Sequence, residues 1–226
     1  MVLSDITAKY APVESWFYDT LIAGGVLESV SGLIDLVGKT ASQGSVLEVG
    51  CGGGQFACRL VEQYPNLRAS GVDLSAEQVK RATKRARTVP SALRGQLQFH
   101  VASALDLPFP DNTFDAVISI ASIKHWPDRA LGVAEMTRVL KNNGLLLVAE
   151  VDRSCHLDDA RAFVQTVRLA APLRLPYLWG FHTYIAGQGL DLDDGRAALA
   201  DLPLAETAVK RIPGTPFMML TGIKTP

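Results

Sequence analysis

Apolar runs alternate with segments of helical periodicity over the first two thirds of the chain. The runs, which are apolar or strictly alternating, predict strands at residues 45–49, 68–73, 97–101, 114–119 and 145–151. Between them, apolar residues recur at helical spacing and predict helices over residues 55–64, 77–87 and 128–140. A basic turn followed by glycine at residues 141–144 predicts the end of the third helix. Strands that alternate with helices are typical of a parallel sheet with crossover helices.

The periodicity weakens after residue 151. Residues 158–170 and 193–202 have helical patterns, whereas residues 172–185 carry two prolines and four aromatic side chains. Two strand-like runs, 206–212 and 217–224, are joined by a turn of two prolines, a glycine and a threonine, which predicts an antiparallel hairpin. The whole pattern predicts an α/β fold with a doubly wound, mostly parallel seven-stranded sheet. The fold is Rossmann-like, and the C-terminal antiparallel hairpin completes the sheet.

Composition and charge argue against several classes of function. The chain has 226 residues, which suits one domain, and a formal net charge of −1 gives no electrostatic reason to bind nucleic acid. The basic run at residues 80–87 is interpreted as a solvated helix face. No apolar run reaches about 20 residues, so we expect no membrane insertion. Three cysteines without metal-ligand spacing favour a reducing, cytoplasmic location and no metal site.

A cluster of glycines lies between the first predicted strand and the helix that follows it. Residues 48–54 read Glu-Val-Gly-Cys-Gly-Gly-Gly, at the carboxyl edge of the sheet, where ligands bind in such folds. Glycines let the backbone approach a ligand closely, and the helix start behind them presents free N–H groups. The loop therefore suits a pyrophosphate or the amino-acid end of S-adenosyl-L-methionine. A tight turn that binds nothing is the plainer interpretation of the glycines alone.

Asp73 ends the second predicted strand, where an acidic side chain can accept hydrogen bonds from both ribose hydroxyls. Ser75 is better placed to cap the next helix, so we favour a ribose contact for Asp73. The glycine spacing is also compatible with a dinucleotide cofactor. In the register that starts at Gly52, Ala57 takes the third small-residue position of G-x-G-x-x-G/A.

Four stretches resemble the motifs of class I S-adenosylmethionine-dependent methyltransferases, in order and at matching spacing. Residues 46–54 resemble the first motif, acidic-x-G-x-G-x-G, and residues 71–75 resemble the second. Residues 107–115, Leu-Pro-Phe-Pro-Asp-Asn-Thr-Phe-Asp, are similar to a stretch of the ubiquinone/menaquinone-biosynthesis type, the methyltransferase type 11 domain. Residues 138–145 resemble the R-V-L-K-P-G-G entry to the fifth strand, with asparagine replacing the proline and the first glycine.

The resemblance implies S-adenosyl-L-methionine as cofactor and a set of contacts to it. Glu48 would organise the loop, Asp73 would hold the ribose, and Leu74 would lie against the adenine. Ser119 and Ile120, at the end of the fourth strand, would face the sulfonium. The complete set of implied cofactor residues is Glu48, Gly50, Cys51, Gly52, Gln55, Asp73, Leu74, Ser103, Ala104, Leu105, Ser119 and Ile120.

The adenine position departs from the family pattern. The family usually has Gly-Asp-Ala before Leu-Pro-Phe-Pro-Asp, and its aspartate binds the adenine amino group. This chain has Ala102-Ser103-Ala104 at that place. Either Ser103 makes a weaker version of the contact, or the backbone at Ala104 and Leu105 makes it.

Two histidines are candidates for a catalytic base, because a base near neutral pH is most simply a histidine. His125 follows the fourth strand, where relatives often have a histidine that faces the methyl acceptor. Packing or capping at the start of the next helix explains His125 equally well. His182 lies among aromatic residues in the segment after strand five and is the second candidate.

Aromatic residues at three places in the chain are candidates for the acceptor site, because exposed aromatic side chains often line an apolar pocket. Capping of the core is the alternative explanation. The candidates are Tyr10, Trp16, Tyr18, Trp126, Tyr177, Trp179, Phe181 and Tyr184.

These expectations divide one domain, residues 1–226, into four parts. The parts are an N-terminal helical lid (1–40), a cofactor-binding core (45–151), an acceptor-site insert (152–192) and the closing hairpin (193–226). We expect a monomer or homodimer that methylates a small aromatic or heteroaromatic molecule at oxygen, nitrogen or sulfur. The alternatives are C-methylation of a quinone or lipid-like acceptor, an NAD(P)-dependent oxidoreductase, and a non-catalytic cofactor-binding partner protein.

Overall fold

The computed structural model describes residues 16–226. Its strands are β1 (Ser45–Val49), β2 (Arg68–Asp73), β3 (Leu97–Val101), β4 (Phe114–Ile120), β5 (Leu140–Val151), β6 (Leu204–Arg211) and β7 (Phe217–Lys224). The helices are α1 (Ala23–Ser29), α2 (Gly32–Ala41), α3 (Gln55–Gln63), α4 (Ala76–Ala86), α5 (Arg129–Val139), α6 (Leu157–Thr166), α7 (Ala171–Gly180) and α8 (Leu192–Ala200). Turns of π-helix at Tyr18–Ile22 and Phe181–Ile185 adjoin α1 and α7.

The seven strands form one sheet in the order β3-β2-β1-β4-β5-β7-β6. Strands β1 to β5 are parallel, whereas β7 is antiparallel to both β5 and β6. The strand order reverses between β1 and β4, and in open α/β sheets such a switch point is where ligands bind. The predicted fold, with its mostly parallel sheet and antiparallel closing hairpin, is confirmed.

Helix starts in the core follow from local capping. The Ser75 hydroxyl accepts a hydrogen bond from Gln78 N at the start of α4, at 3.4 Å. The Asp128 carboxylate accepts one from Leu131 N at the start of α5, at 2.9 Å. Each cap satisfies an N–H group that the first helical turn leaves without an intrahelical partner.

The sequence prediction was wrong about residues 141–144. Instead of a turn that separates helix from strand, α5 ends at Val139 and β5 begins at Leu140. Asn143 adopts φ 62°, a left-handed conformation that asparagine tolerates better than most residues. The pairing of β4 with β5 shifts register between Phe114 and Ala116, so the strand absorbs the irregularity as a bulge.

Two hydrophobic clusters cover the two faces of the sheet. Along β5, Leu145 and Leu147 pack into the first cluster, with residues of α1, α2, α3 and α6. Leu146 and Val148 pack into the second cluster, with residues of α5 and α8. Neighbouring residues of a strand point to opposite faces, so a fully buried strand reads as a continuous apolar run.

The length and the apolar character of a helix decide whether it could cross a membrane. Within residues 16–226, no single helix combines the length and the apolar character that crossing a membrane requires. The bent pair Tyr18–Ser29 and Gly32–Ala41, with 68° between its two parts, meets the requirement only when both parts are counted together.

Candidate active site

An open cavity of about 720 Å³ lies at the carboxyl ends of the central strands. Residues that follow β1, β2 and β3 line one part of it, and the glycine loop is among them. Residues that follow β4 and β5, together with aromatic residues of the segment between β5 and α8, line the rest. The cavity thus joins the predicted cofactor loop to the predicted acceptor segment.

The glycine loop turns sharply from β1 into α3. The N–H groups of Gly50 and Cys51 both donate to Val72 O, at 2.8 and 2.9 Å, which ties the loop to β2. Gly50 and Gly52 have φ 76° and 49°, a region that side chains disfavour. A Cβ on Gly50 would lie 2.0 Å from Ser122 Oγ, whereas a Cβ on Gly52 would meet no atom within 4 Å. Gly52 lines the cavity, so it leaves room for a ligand against the backbone.

Asp73 is held in place by backbone groups on both sides. One carboxylate oxygen accepts from Gly52 N and the other from Ser75 N, each at 2.9 Å. Burial raises the pKa of Asp73 above its ordinary value, although these two N–H groups oppose the rise. Each oxygen retains a lone pair, and Asp73 lines the cavity, so two ribose hydroxyls can donate to it.

Three predicted cofactor residues in and around the glycine loop do not line the main cavity. Glu48, Cys51 and Gln55 line an adjoining recess of about 40 Å³. Glu48 Oε2 accepts from Ala57 N at 3.2 Å, and burial raises the Glu48 pKa to about 8. Burial also raises the pKa of the Cys51 thiol well above its usual range. Glu48 therefore braces the start of α3, and Cys51 has the character of a packed thiol rather than a nucleophile.

Asp19 connects the π-helical turn Tyr18–Ile22 to the glycine loop. Its carboxylate pairs with Arg85 at 3.1 Å and accepts a hydrogen bond from Gln55 Nε2. Sequence reasoning missed this contact, because Asp19 and Arg85 lie 66 positions apart and the basic run was interpreted as a solvated face.

Ser103, at the adenine position, makes a local hydrogen bond. Its hydroxyl oxygen accepts from Leu105 N at 3.1 Å. Ser103, Ala104 and Leu105 all line the cavity. The Leu105 N–H is thus already engaged, whereas the hydroxyl hydrogen of Ser103 can still be donated. Leu74 and Ile120 also line the cavity, as the resemblance implies.

A buried ion pair fixes the turn that carries His125. Lys124 Nζ donates to Glu150 Oε1 at 2.9 Å and to Ala121 O at 2.7 Å. Lys124 N donates to the second carboxylate oxygen, Glu150 Oε2, at 3.2 Å. Glu150 is fully buried on β5, whereas Lys124 lines the cavity. Sequence reasoning missed this pair, although a charged residue inside an apolar strand signals a buried partner.

His125 is half-buried in the 3₁₀ turn Ile123–His125 and lines the cavity. Burial, and then the positive charge of Lys124, lower its pKa to about 4, although Glu150 acts in the opposite direction. The imidazole is therefore neutral at physiological pH, which is the state a base requires. A pKa this low also makes His125 a weak proton acceptor.

Aromatic side chains form the wall of the cavity beside His125. Phe181 is buried against Phe163, with ring centroids 4.9 Å apart, and Phe163 meets Phe217 edge to face at 5.7 Å. Burial raises the pKa of Tyr177 to about 12, so its phenol stays protonated. Tyr177, Phe181, Tyr184, Trp126 and Tyr18 all line the cavity.

Several predicted site residues lie elsewhere. Trp179 is 73% exposed and Trp16 is 51% exposed, and neither lines the cavity. His182 is also exposed and does not line the cavity. Ser119 is fully buried, because neighbouring residues of β4 point to opposite faces and Ile120 occupies the cavity side. Tyr10 lies outside the described residues.

Fold and site together define the class of protein. The glycine loop, the carboxylate at the end of β2 and the shared cavity are features of an α/β domain that binds a nucleoside cofactor. Residues 47–148 match the family described as a methyltransferase domain. This part of the chain is therefore similar to a methyltransferase domain, in agreement with the motif resemblance.

Individual relatives agree with this assignment. Methyltransferase GfsG of Streptomyces halstedii is 34% identical over 149 residues, which cover 65% of this chain and 52% of that protein. The ubiquinone/menaquinone biosynthesis C-methyltransferase UbiE of Geotalea daltonii is 32% identical over 113 residues, 50% of this chain and 47% of that protein. The chain thus spans about half the length of these relatives.

Solved structures confirm the fold. A SAM-dependent methyltransferase from Aquifex aeolicus superposes with a TM-score of 0.70. The match covers 95% of this chain and 99% of that one, at 15% sequence identity. At this identity the similarity concerns the fold alone.

Proposed function

We propose that the protein transfers a methyl group from S-adenosyl-L-methionine to a small aromatic or heteroaromatic molecule at oxygen, nitrogen or sulfur. One observation carries the proposal: a single cavity contains the glycine loop and Asp73, and also His125 with its aromatic wall. The residues present fit the cofactor, because Gly52 leaves open space against the backbone and Asp73 is oriented to accept from ribose hydroxyls. An aromatic acceptor fits the wall formed by Tyr177 and Phe181.

Methyl transfer requires above all that the acceptor atom be placed in line with the methyl group, and then that the acceptor lose its proton. When bound, the cofactor supplies an electrophilic methyl group, whose C–S bonding electrons stay on sulfur as an acceptor lone pair forms the new bond. Asp73 and the loop hold the nucleoside, and the aromatic wall orients the acceptor. Glu150 and Lys124 fix the turn that presents His125. Neutral His125 then takes the proton that the acceptor atom loses, and passes it to solvent.

A second candidate is C-methylation of a quinone or lipid-like acceptor. The apolar lining of the cavity favours it, and the similarity to a quinone-biosynthesis C-methyltransferase adds support. Such an acceptor enters the same cavity.

A labelled-cofactor assay tests the proposal. A pool of small metabolites is incubated with the protein and S-adenosyl-L-methionine labelled in its methyl group, and the products are separated by mass. We expect label in an aromatic product and none with Asp73→Ala. Label in an aliphatic product, or none in any product, contradicts the proposed acceptor class.

Calorimetry shows whether the protein binds a ligand of the S-adenosylmethionine type or a dinucleotide. We expect S-adenosylhomocysteine to bind with micromolar affinity and NAD or NADP to give no heat. The opposite result indicates an oxidoreductase. Cofactor binding without turnover of any acceptor indicates a non-catalytic partner protein.

A further inference from the structure

Arg85, in the basic run at residues 80–87, does not belong to a solvated helix face. The exposed members of the run are Lys80, Lys84 and Arg87. The Arg85 guanidinium instead donates to the carboxylate of Asp19, at 3.1 to 3.2 Å. The side chain of Arg85 is 29% exposed and that of Asp19 is 12% exposed. The pair therefore joins helix α4 to the turn of π-helix near the start of the described residues.

This ion pair lies against the glycine loop. Arg85 Nη1 also donates to Gly53 O, and Gln55 Nε2 donates to the Asp19 carboxylate. A Cβ on Gly53 would lie 2.1 Å from Asp19 Oδ1. Gly53 is not among the loop glycines with positive φ, so the backbone conformation does not account for it. The close approach of Asp19 is what excludes a side chain at this position.

The π-helical turn Tyr18–Ile22, which carries Asp19, borders the same space as the glycine loop. Tyr18 of the turn and Gly52 of the loop line both the main cavity and the adjoining recess of about 40 Å³. Asp19 and Arg85 line neither. Their ion pair therefore acts on a ligand through the turn and the loop that it joins.

We propose that Asp19 and Arg85 position the N-terminal turn and the glycine loop around the amino-acid end of the cofactor. The inference rests on the proposed function. There Asp73 takes the ribose and the residues after β3 take the adenine, which leaves the amino-acid end of S-adenosyl-L-methionine for the loop. With the ion pair formed, turn and loop are held together before the ligand binds, so less binding free energy is spent on ordering them.

The test compares two ligands that share the nucleoside. S-adenosylhomocysteine has the amino-acid end, and 5′-methylthioadenosine lacks it. We expect Asp19→Ala to weaken binding of S-adenosylhomocysteine by about 3- to 10-fold, because the ligand must then order the turn and the loop itself. The affinity for 5′-methylthioadenosine should be unchanged. Arg85→Ala should give the same result from the other side of the pair, and calorimetric titration measures both variants.

A double variant tests whether the two residues act together. Asp19→Ala/Arg85→Ala should weaken binding of S-adenosylhomocysteine no more than either single variant, because each substitution already breaks the contact. The matched control is Asp158→Ala, which breaks an exposed ion pair with Arg161 away from the cavity and should bind both ligands as the wild type does. Additive losses in the double variant, or equal weakening of the two ligands in Asp19→Ala, overturn the inference.

Thermal unfolding of the ligand-free variants separates positioning from a role in the fold. Partly exposed ion pairs contribute little to stability, so the Tm of each single variant should lie within about 3 °C of the wild type. If Asp19→Ala is too unstable to titrate, Asp19→Asn, which keeps an acceptor for Gln55, replaces it. An unchanged preference between the two ligands overturns the inference, whatever the Tm. If the wild type does not bind S-adenosylhomocysteine at all, the proposed function fails instead.

Discussion

The cofactor side and the acceptor side of the cavity are built from different kinds of contact. On the cofactor side, backbone groups fix the chemistry: Gly52 and Ser75 orient Asp73 through N–H groups that lie within 21 residues of it. On the acceptor side, contacts between side chains of different helices and strands hold the site residues in place. Glu150 reaches across from β5 to Lys124, and Phe217 of β7 meets Phe163 of α6. The first set of contacts is made by the backbone of a recognisable strand–loop–helix motif, whereas the second depends on which side chains the tertiary fold brings together.

Loss of His125 should have the largest effect, and on turnover only. We expect His125→Ala to lower kcat by about 10²–10³, the lower part of the usual range for a general base, because a pKa near 4 makes the imidazole a weak proton acceptor. The affinity for S-adenosylhomocysteine should be unchanged. Because burial holds the His125 pKa near 4, activity should persist as pH falls through 6 and be lost as it falls through about 4. Steady-state rates against pH check both points.

The exposed His156→Ala is the matched control for that variant, and should behave as the wild type. Full activity in His125→Ala together with an inactive His182→Ala would show that the exposed His182 is the base. Full activity in both would mean that placement alone suffices.

Breaking the buried ion pair should destabilise the fold. Glu150→Ala leaves the Lys124 ammonium buried without its carboxylate, and removal of one partner of a buried pair costs about 3–5 kcal/mol. Urea unfolding measures this loss. The double variant Lys124→Met/Glu150→Gln leaves no unpaired charge and should recover most of the stability. A double variant as unstable as Glu150→Ala would refute the electrostatic explanation.

Asp73→Ala should weaken cofactor binding by about 10- to 100-fold, because a charge-assisted contact to two hydroxyls is lost. Calorimetry with S-adenosylhomocysteine measures the change. Exposed Asp201→Ala serves as the control for loss of one carboxylate. Unchanged affinity in Asp73→Ala would remove this residue from the ribose site.

The smallest effect concerns Ser103. We expect Ser103→Ala to cost about 1 kcal/mol of cofactor binding, or roughly fivefold in Kd, because one neutral hydrogen bond is lost. The same calorimetric titration applies. A loss equal to that of Asp73→Ala would show that Ser103 contributes as much to nucleoside binding as Asp73 does, which contradicts the proposed ranking.

Local patterns predicted the strands and helices around Asp73. Strand alternation and the Ser75 cap gave the strand–loop–helix unit around Asp73, because each depends on neighbours in the chain. Even so, strand periodicity argued against placing both Ser119 and Ile120 on the cavity, since adjacent strand residues face opposite ways.

The acceptor side was predicted in outline only. Aromatic composition indicated a segment that contributes to the cavity, yet Trp179 and His182 are exposed whereas Tyr177 and Phe181 line the cavity. Which face of α7 and the adjoining π-helical turn packs inward depends on packing against α6 and against β7, the latter far away in sequence. The prediction of a turn at residues 141–144 failed for a similar reason, because Leu140 already pairs with Phe114 of β4.

The contact between Gly50 and Ser122 has a consequence for how two ligands share the cavity. Any side chain on Gly50 would collide with Ser122 Oγ, and Ser122 Oγ in turn accepts from Trp126 Nε1 at 3.1 Å. Under the proposed function, the loop that would meet the cofactor thus lies in contact with the turn that would meet the acceptor. A displacement of one by its ligand changes the free energy of the other. Thermodynamic linkage then requires the effect to be reciprocal, so whatever factor the cofactor applies to acceptor affinity, the acceptor applies to cofactor affinity.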